Sequence, residues 1–270
     1  MKYWRQAASL IVAANRTRNV ANIPQTVYGS TENPSNPGNQ QGQKTNANDK
    51  GIVRIPLKND VDYSVLLLQR AQSSTFFAGA EVFPGGAVDD ADFSLDWVEL
   101  FKEAGINSIV DFGKMLTIQG ERPLVFTEKR ETSSPSTIPS ELAFRICAIR
   151  ETFEEAGVLM LKSFQDVQNN QCTEVTFAKN YQHPSLSESK IDEWRHRVHE
   201  DAHQFILLCR SLQCIPDVWS LMEWSDWLTP STNKKRYDTM FFMCCMKDVP
   251  EVKHDAKETV QVKVSLKIFL

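Results

Sequence analysis

The sequence predicts a protein of the α/β class, because it contains both segments with the helical spacing of apolar residues and shorter apolar runs that are typical of strands. The helical pattern is clearest in residues 139–157 and 191–212, and the strand pattern in residues 63–70 and 237–246. The chain has 270 residues, of which 41% are hydrophobic and 24% are charged, an ordinary globular composition. This length allows one large domain or two small ones, and we predict a single domain over residues 1–270.

The charge balance limits the classes of partner. A net charge of −4 argues against a general nucleic-acid binder and against a protein that binds anionic membranes. No apolar run approaches the roughly 20 residues that a membrane-spanning helix requires. The six cysteines show no paired metal-ligand spacing, so we interpret them as reduced core residues of an intracellular protein.

The N-terminal residues 1–18 are basic with an apolar centre and match two patterns, a targeting segment and a first strand. We favour the strand, because Ala8, Leu10 and Val12 alternate along a run that is rich in β-branched residues. Residues 19–50 are rich in Asn, Gln, Gly, Pro and Ser, and we expect a flexible polar loop there.

The middle of the chain predicts a buried strand followed by a short helix. Residues 63–70 form a compact apolar run, and residues 96–104 place Trp97, Leu100 and Phe101 at helical spacing. Later strands are predicted at residues 219–224, 237–246 and 259–264.

The helix predicted over residues 139–157 carries three carboxylates on one face. Pro139 near its start and Gly157 at its end are typical of helix termini. At about 100° per residue, Glu151, Glu154 and Glu155 lie within roughly 60° of one another. The opposite face is apolar and consists of Leu142, Ile146, Ile149 and Phe153.

Like charges at this spacing repel by a few tenths of a kcal/mol per pair, so a cation should offset them. Arg150 reaches only part of the cluster. Several carboxylate oxygens that converge on one point suit a hard divalent cation such as Mg²⁺ or Mn²⁺. The alternative is an acidic helix face in water.

An upstream stretch, Phe83-Pro84-Gly85-Gly86-Ala87-Val88-Asp89, lets the backbone approach a ligand closely because its glycines lack a Cβ. Together with Arg150-Glu151-Thr152-Phe153-Glu154-Glu155-Ala156-Gly157 it resembles the two halves of a Nudix box. If Gly86 is the first position of the box, Asp92 stands where the family has Glu, and 57 residues separate Asp92 from Arg150. The resemblance therefore implies a long insertion, residues 93–139. It either shapes the substrate pocket as a wall or lid, or is a surface excursion.

A second resemblance is to the coenzyme A diphosphatases within the Nudix superfamily. Leu66-Leu67-Leu68-Gln69-Arg70-Ala71, Gly79 and the double glycine follow the spacing of their motif, whereas Leu68 and Thr75 replace its Thr and Arg. Residues 67–72, 82–88 and 223–230 look like the branch of Nudix motif 19-type acyl-coenzyme A diphosphatases, whose members carry a long insertion inside the box.

This resemblance implies a Nudix α/β/α sandwich with a mixed β-sheet. It also implies hydrolysis of the diphosphate bond of coenzyme A and acyl-CoA esters to 3′,5′-adenosine bisphosphate and (acyl-)4′-phosphopantetheine, with Mg²⁺ or Mn²⁺ as cofactor. By position in the motif, the metal ligands and catalytic residues are Glu151, Glu154 and Glu155, with Arg150 orienting the carboxylates.

Further residues follow from the same resemblance. The Gly85 carbonyl is a candidate additional ligand, and Glu258 is a candidate ligand or base. The substrate-binding residues are expected to be Arg70, Gly79, Phe83, Gly85 and Gly86.

The branch is peroxisomal, but residues 268–270 read Ile-Phe-Leu, which is not a Ser-Lys-Leu-type signal. We therefore expect a peroxisomal or otherwise cytoplasmic protein, and a C-terminus that is shortened relative to the branch.

Two alternatives from other classes remain. His199-Glu200-Asp201-Ala202-His203 has the spacing of a zinc-protease helix, with Glu223 as a candidate third ligand. Arg197 and Asp201 place charges where such helices keep uncharged residues, so a solvated polar face is the simpler interpretation. The other alternative is a catalytically weak Nudix-fold module that binds coenzyme A or a nucleotide.

Overall fold

The computed structural model describes residues 4–15, 63–73, 77–107, 121–128, 137–169, 177–253 and 259–265. All of them belong to one unit, which comprises Met1–Arg16 and Asp62–Leu270. The polar stretch predicted as a loop, residues 19–50, and the candidate ligand Glu258 lie outside the described residues. The prediction of a single domain over the whole chain therefore stays a prediction.

The described residues form nine strands and six α-helices. The strands are β1 (Arg5–Asn15), β2 (Tyr63–Arg70), β3 (Glu81–Val82), β4 (Gly85–Ala87), β5 (Leu161–Ser163), β6 (Cys214–Pro216), β7 (Met222–Leu228), β8 (Tyr237–Met246) and β9 (Thr259–Ser265). The α-helices are α1 (Asp96–Glu103), α2 (Leu124–Thr127), α3 (Ser140–Ala156), α4 (Phe164–Gln168), α5 (Glu188–Glu200) and α6 (Gln204–Ser211). Short 3₁₀ turns occupy Asp90–Phe93 and Val218–Ser220.

Strand β1 lies at the centre of a mixed sheet with the order β3-β2-β1-β8-β7. It pairs in parallel with β8 and antiparallel with β2 and β4, while β9 pairs with β2. Strands β5 and β6 form a separate antiparallel pair. The structure thus confirms an α/β protein with a mixed sheet, and it confirms that the N-terminal apolar run is a strand.

Helix α3 is the central helix and packs against β1, β4 and α5. Nearly all of its residues are buried, including the predicted apolar face of Leu142, Ile146, Ile149 and Phe153. Pro139 immediately precedes the helix, and Gly157 ends it in the left-handed conformation with φ of 71°. Arg195 from α5 donates hydrogen bonds to the carbonyl oxygens of Phe153 and Glu154 and so caps the same end. Gly157 and Arg195 together therefore fix the C-terminal turn of α3, which carries Glu151, Glu154 and Glu155.

The described parts of the insertion pack into the core. In α1 the buried residues are Trp97, Leu100 and Phe101, as the helical spacing predicted, and in α2 Val125 and Phe126 are buried. A surface excursion is therefore the wrong interpretation for these parts, which add hydrophobic area to the same core.

The prediction of one long helix over residues 191–212 is wrong. Helix α5 ends at Glu200, and Asp201 is extended, with φ of −152° and ψ of 104°. The Asp201 carboxylate accepts hydrogen bonds from the His203 backbone N–H and from the Gln204 side chain, so it starts α6 instead of continuing α5. The apolar spacing runs on across the break, which is why the pattern suggested a single helix.

The strand predictions are confirmed for residues 63–70 and 237–246, and that at residues 259–264 is confirmed to within one residue. The strand predicted at residues 219–224 begins later, at Met222, because Trp219 lies in a 3₁₀ turn. The five cysteines in the described part are free thiols. None of the helices described is both long enough and apolar enough to cross a bilayer.

Candidate active site

The double glycine forms a loop that is fixed onto the central strand. The Pro84 carbonyl oxygen accepts hydrogen bonds from the Leu10 backbone N–H at 2.9 Å and from the Ser9 hydroxyl at 2.8 Å. A Cβ on Gly85 would stand 2.4 Å from the backbone oxygen of Ala8. Only glycine fits at this position, because the loop lies directly on β1.

The acidic turn of α3 meets this loop, although the two are far apart in the sequence. The Gly85 N–H donates to Glu155 Oε2 at 2.9 Å. A Cβ on Gly86 would stand 2.4–2.6 Å from the carboxylate atoms of Glu151. The missing side chain of Gly86 is therefore what lets this carboxylate approach the loop.

The three glutamates do not form a solvated helix face. The side chains of Glu151, Glu154 and Glu155 expose 15%, 8% and 5% of their surface, respectively. Burying a carboxylate without a partner is costly, so these groups require cations or hydrogen-bond donors. The alternative of an acidic face in water is wrong for this structure.

Arg150 is the cation at the centre of the cluster. Its guanidinium donates to Asp92 at 2.8 and 3.0 Å, to Glu154, and lies 2.9 Å from Glu151. Burial works against the charged guanidinium, but the carboxylates of Asp92 and Glu151 outweigh it and raise the pKa of Arg150 well above its usual value. Arg150 thus orients two of the glutamates, and the structure adds Asp92 as the residue that anchors it.

Asp92 occupies the position where the box pattern has Glu, and its buried carboxylate also accepts a hydrogen bond from the Asp89 N–H at 2.9 Å. The sequence marked Asp92 only as a departure from the pattern. Its pairing with Arg150 depends on the path of the inserted segment, which the spacing alone does not reveal.

The cluster is short of positive charge even with Arg150 in place. Burial raises the pKa of the Glu151 carboxyl to about 7, and the negative charge of Glu154 acts in the same direction, while Arg150 opposes them. The Cys147 thiol lies behind the cluster, and burial raises its pKa well above the usual value, so it is inert. A further cation would stabilise the ionised carboxylates.

One cleft of about 1050 Å³ borders both the loop and the acidic turn. Of the residues predicted to bind substrate, it is lined by Arg70, Phe83, Gly85 and Gly86. Gly79 is not among the lining residues. It lies in a turn with φ of 70°, against the Gln72 side chain, where a Cβ would collide.

The zinc-peptidase hypothesis is wrong. His199 Nδ1 lies 3.5 Å from Glu154, whereas His203 Nε2 lies 3.6 Å from Asp96 on α1. Because α5 ends between the two histidines, they do not share a helix face. Glu223, the candidate third ligand, is instead held by two arginines.

Some cleft residues were not predicted as part of this site. His199, which the sequence suggested only as a zinc ligand, borders the cleft beside Glu154, and Trp224 and Trp227 line it from β7. Lys235 also lines it, and its basic run, residues 234–236, suggests either solvated surface or a contact with a phosphate. The similarity of residues 223–230 to the acyl-coenzyme A diphosphatase branch was the signal that could have pointed to the two tryptophans.

The fold has a counterpart among solved structures. The structure is similar to the crystal structure of a Nudix hydrolase from Alicyclobacillus acidocaldarius, with a TM-score of 0.55 and 17% identity, covering 98% of this chain and 80% of that one. At this identity the similarity shows the fold, which is that of a Nudix hydrolase.

Sequence comparison assigns the chain to a particular family with this fold. The NUDT19 Nudix domain family matches residues 4–267, and the chain belongs to it. The chain is 35% identical over 269 residues to the acyl-coenzyme A diphosphatase NUDT19 of Xenopus laevis, covering 97% of this chain and 62% of that protein. It is 35% identical over 263 residues to the Homo sapiens protein of the same name, covering 95% and 60%. The chain thus spans about three fifths of the length of these relatives.

Proposed function

We propose that the chain hydrolyses the diphosphate bond of coenzyme A and acyl-CoA esters, releasing 3′,5′-adenosine bisphosphate and (acyl-)4′-phosphopantetheine. Membership of the NUDT19 Nudix domain family and the names of its relatives support this reaction. The observation that carries it is the meeting of Gly85 and Gly86 with Glu155 and Glu151 on the wall of one cleft. We also propose that helices cover both faces of the sheet, as in the Nudix α/β/α sandwich. A peroxisomal location is proposed on the same resemblance.

The donor chemistry of the acidic turn fits Mg²⁺ or Mn²⁺. Glu151, Glu154 and Glu155 would hold the ion, since carboxylate oxygens are the ligands that hard cations prefer. Among the residues that the structure describes, no group of three His, Cys, Asp or Glu side chains is arranged to hold a metal ion. Burial and the negative charge of Glu154 raise the pKa of Glu151, and a bound cation would favour its ionised form. When bound, it would supply charge neutralisation for the diphosphate and Lewis acidity toward the attacking water.

The residues of the chain provide the rest of the site. Arg150 fixes the carboxylates of Glu151 and Glu154, which keeps their oxygens directed to one region. The Gly85–Gly86 loop brings the backbone close to that region without side chains in the way. Water attack on phosphorus requires a proton acceptor, and one of the three glutamates serves as this base.

The test is Mg²⁺- or Mn²⁺-dependent release of 3′,5′-adenosine bisphosphate from a panel of coenzyme A esters, identified by mass. Glu154→Gln and Glu155→Gln should each reduce the rate of product release by more than about 100-fold while the protein stays folded. Glu193→Gln on an exposed turn of α5 is the matched control and should retain activity. Full activity in either site variant contradicts the assigned role. Ligand-induced thermal stabilisation without turnover in the wild type would instead identify a binding module.

A further inference from the structure

The cleft extends from the acidic turn toward two sides of the sheet. Its centre borders β1 and β4, under the glutamates of α3. Because the sheet order is β3-β2-β1-β8-β7, one arm lies over β2 and β3, with Arg70 and Phe77, and the other over β8 and β7. A substrate whose diphosphate sits at the centre must place one half in each arm.

The arm over β7 and β8 is lined by an aromatic wall, which we define as Trp224, Trp227 and Phe241. Trp227 is 68% exposed and Trp224 is 50% exposed. The Phe241 ring supports Trp227 edge-on, with centroids 6.4 Å apart, and contacts Phe83 at 6.3 Å. The rings thus run from the loop before the double glycine outward along the arm.

A β-bulge gives the wall its composition. Glu223 pairs with Phe242 and Ser225 pairs with Phe241, so Trp224 is an additional residue in β7. In a regular strand, residues three apart face opposite sides of the sheet. The bulge shifts this alternation, and both indoles border the cleft.

The residue before the bulge, Glu223, anchors β7 to other parts of the fold. Glu223 accepts hydrogen bonds from Arg122 at 2.8 and 2.9 Å and from Arg145 at 2.8 Å. The carboxylate is largely buried, with its side chain 9% exposed. The aromatic wall is therefore held in place by the inserted segment and by α3.

This arm contributes a basic side chain to the cleft lining. Lys235, exposed in the hairpin between β7 and β8, lines the cleft. The cleft residues between 224 and 241 include no acidic side chain, whereas the carboxylates that border the cleft come from β3, from the loop after β4, and from α3, α5 and the junction after α5. A flat ring gains stacking energy on an indole, and a phosphate gains from the lysine. An alkyl chain would use the rings but not the charge.

We propose that the aromatic wall and Lys235 form the subsite for the nucleotide half of the substrate, with the purine base on the tryptophans and the ribose phosphate at Lys235. The subsite rests on the proposed function, since it presumes a diphosphate at the acidic turn. The other half, phosphopantetheine with its acyl group, then occupies the arm over β2 and β3.

The test is calorimetric binding of the two product halves in the presence of Mg²⁺, because neither product is hydrolysed and the readout does not require turnover. Trp227→Ala should lower the affinity for 3′,5′-adenosine bisphosphate by about tenfold or more, and Trp227→Phe should lower it by less. The affinity of Trp227→Ala for 4′-phosphopantetheine should stay within about twofold of the wild type. Lys235→Ala should remove the preference of the protein for the bisphosphate over 5′-AMP.

Phe177 and Lys247 provide a matched control, an exposed aromatic ring with a lysine 5.8 Å from its centroid but outside the cleft lining. Their alanine variants should bind both ligands as the wild type does. The subsite is overturned if Trp227→Ala leaves bisphosphate binding unchanged, if it weakens both halves equally, or if only phosphopantetheine is lost. If the wild-type protein shows no hydrolase activity but Trp227→Ala still loses bisphosphate binding, the subsite is supported and the proposed reaction is overturned.

Discussion

Replacing Asp92 by alanine tests whether the two separated halves of the site depend on each other. The change removes two charge-assisted hydrogen bonds from Arg150 and the bond from the Asp89 N–H. Arg150 would stay buried with Glu151 and Glu154 as its remaining partners. Breaking a buried ion pair on one side costs about 3–5 kcal/mol, and we expect about 4 kcal/mol here.

For a protein of this size, about 4 kcal/mol corresponds to a fall in Tm of about 8–16 °C. Thermal unfolding followed by circular dichroism measures it. Asp92→Asn keeps the shape and part of the hydrogen bonding, so its loss should be smaller. Asp90→Asn, on the exposed side of the same turn, is the control and should stay within about 0.5 kcal/mol of the wild type.

A Tm of Asp92→Ala equal to that of the Asp90 control would refute this reasoning. It would mean that the ion pair across the insertion contributes nothing to the fold. A double variant with Arg150→Met should recover part of the loss, because it removes the buried charge that Asp92→Ala leaves short of a partner.

Three further changes have defined outcomes. Gly86→Ala should displace Glu151 and abolish product release while the Tm changes little, because the new Cβ meets a side-chain end and not backbone. Glu223→Gln should destabilise the protein by about 2–4 kcal/mol, measured by urea unfolding, since Arg145 is almost fully buried and loses its charged partner. Burial and a neighbouring carboxyl raise the pKa of Asp226 from 3.8 to about 6. Its protonated form therefore favours the fold, and stability falls as the pH rises from about 4 to 6; Asp226→Asn should match the wild type near pH 4 and be more stable above pH 6.

Local sequence patterns predicted the helices and strands whose buried residues repeat at regular spacing. The strand Tyr63–Arg70 and the helices α1 and α3 agree with the apolar spacing, because their buried faces repeat along the chain. The break at Asp201 was missed, because the apolar residues on its two sides keep a helical spacing while a capping carboxylate ends the helix.

The candidate site was predictable only as two halves. The residue types of the double glycine and the acidic turn suggested a cation site, and the resemblance joined them across the insertion. The contacts of Asp92 with Arg150, and of Glu223 with Arg122 and Arg145, are long-range and carry no local signature. The aromatic wall was missed because its two tryptophans share a side of β7 only through a bulge.

The most direct measurement is anomalous diffraction from crystals soaked with Mn²⁺. A manganese peak is expected next to the Gly85–Gly86 loop, bordered by the carboxylates of Glu151, Glu154 and Glu155. A peak elsewhere, or none at these carboxylates while manganese-dependent hydrolysis proceeds, would contradict this expectation.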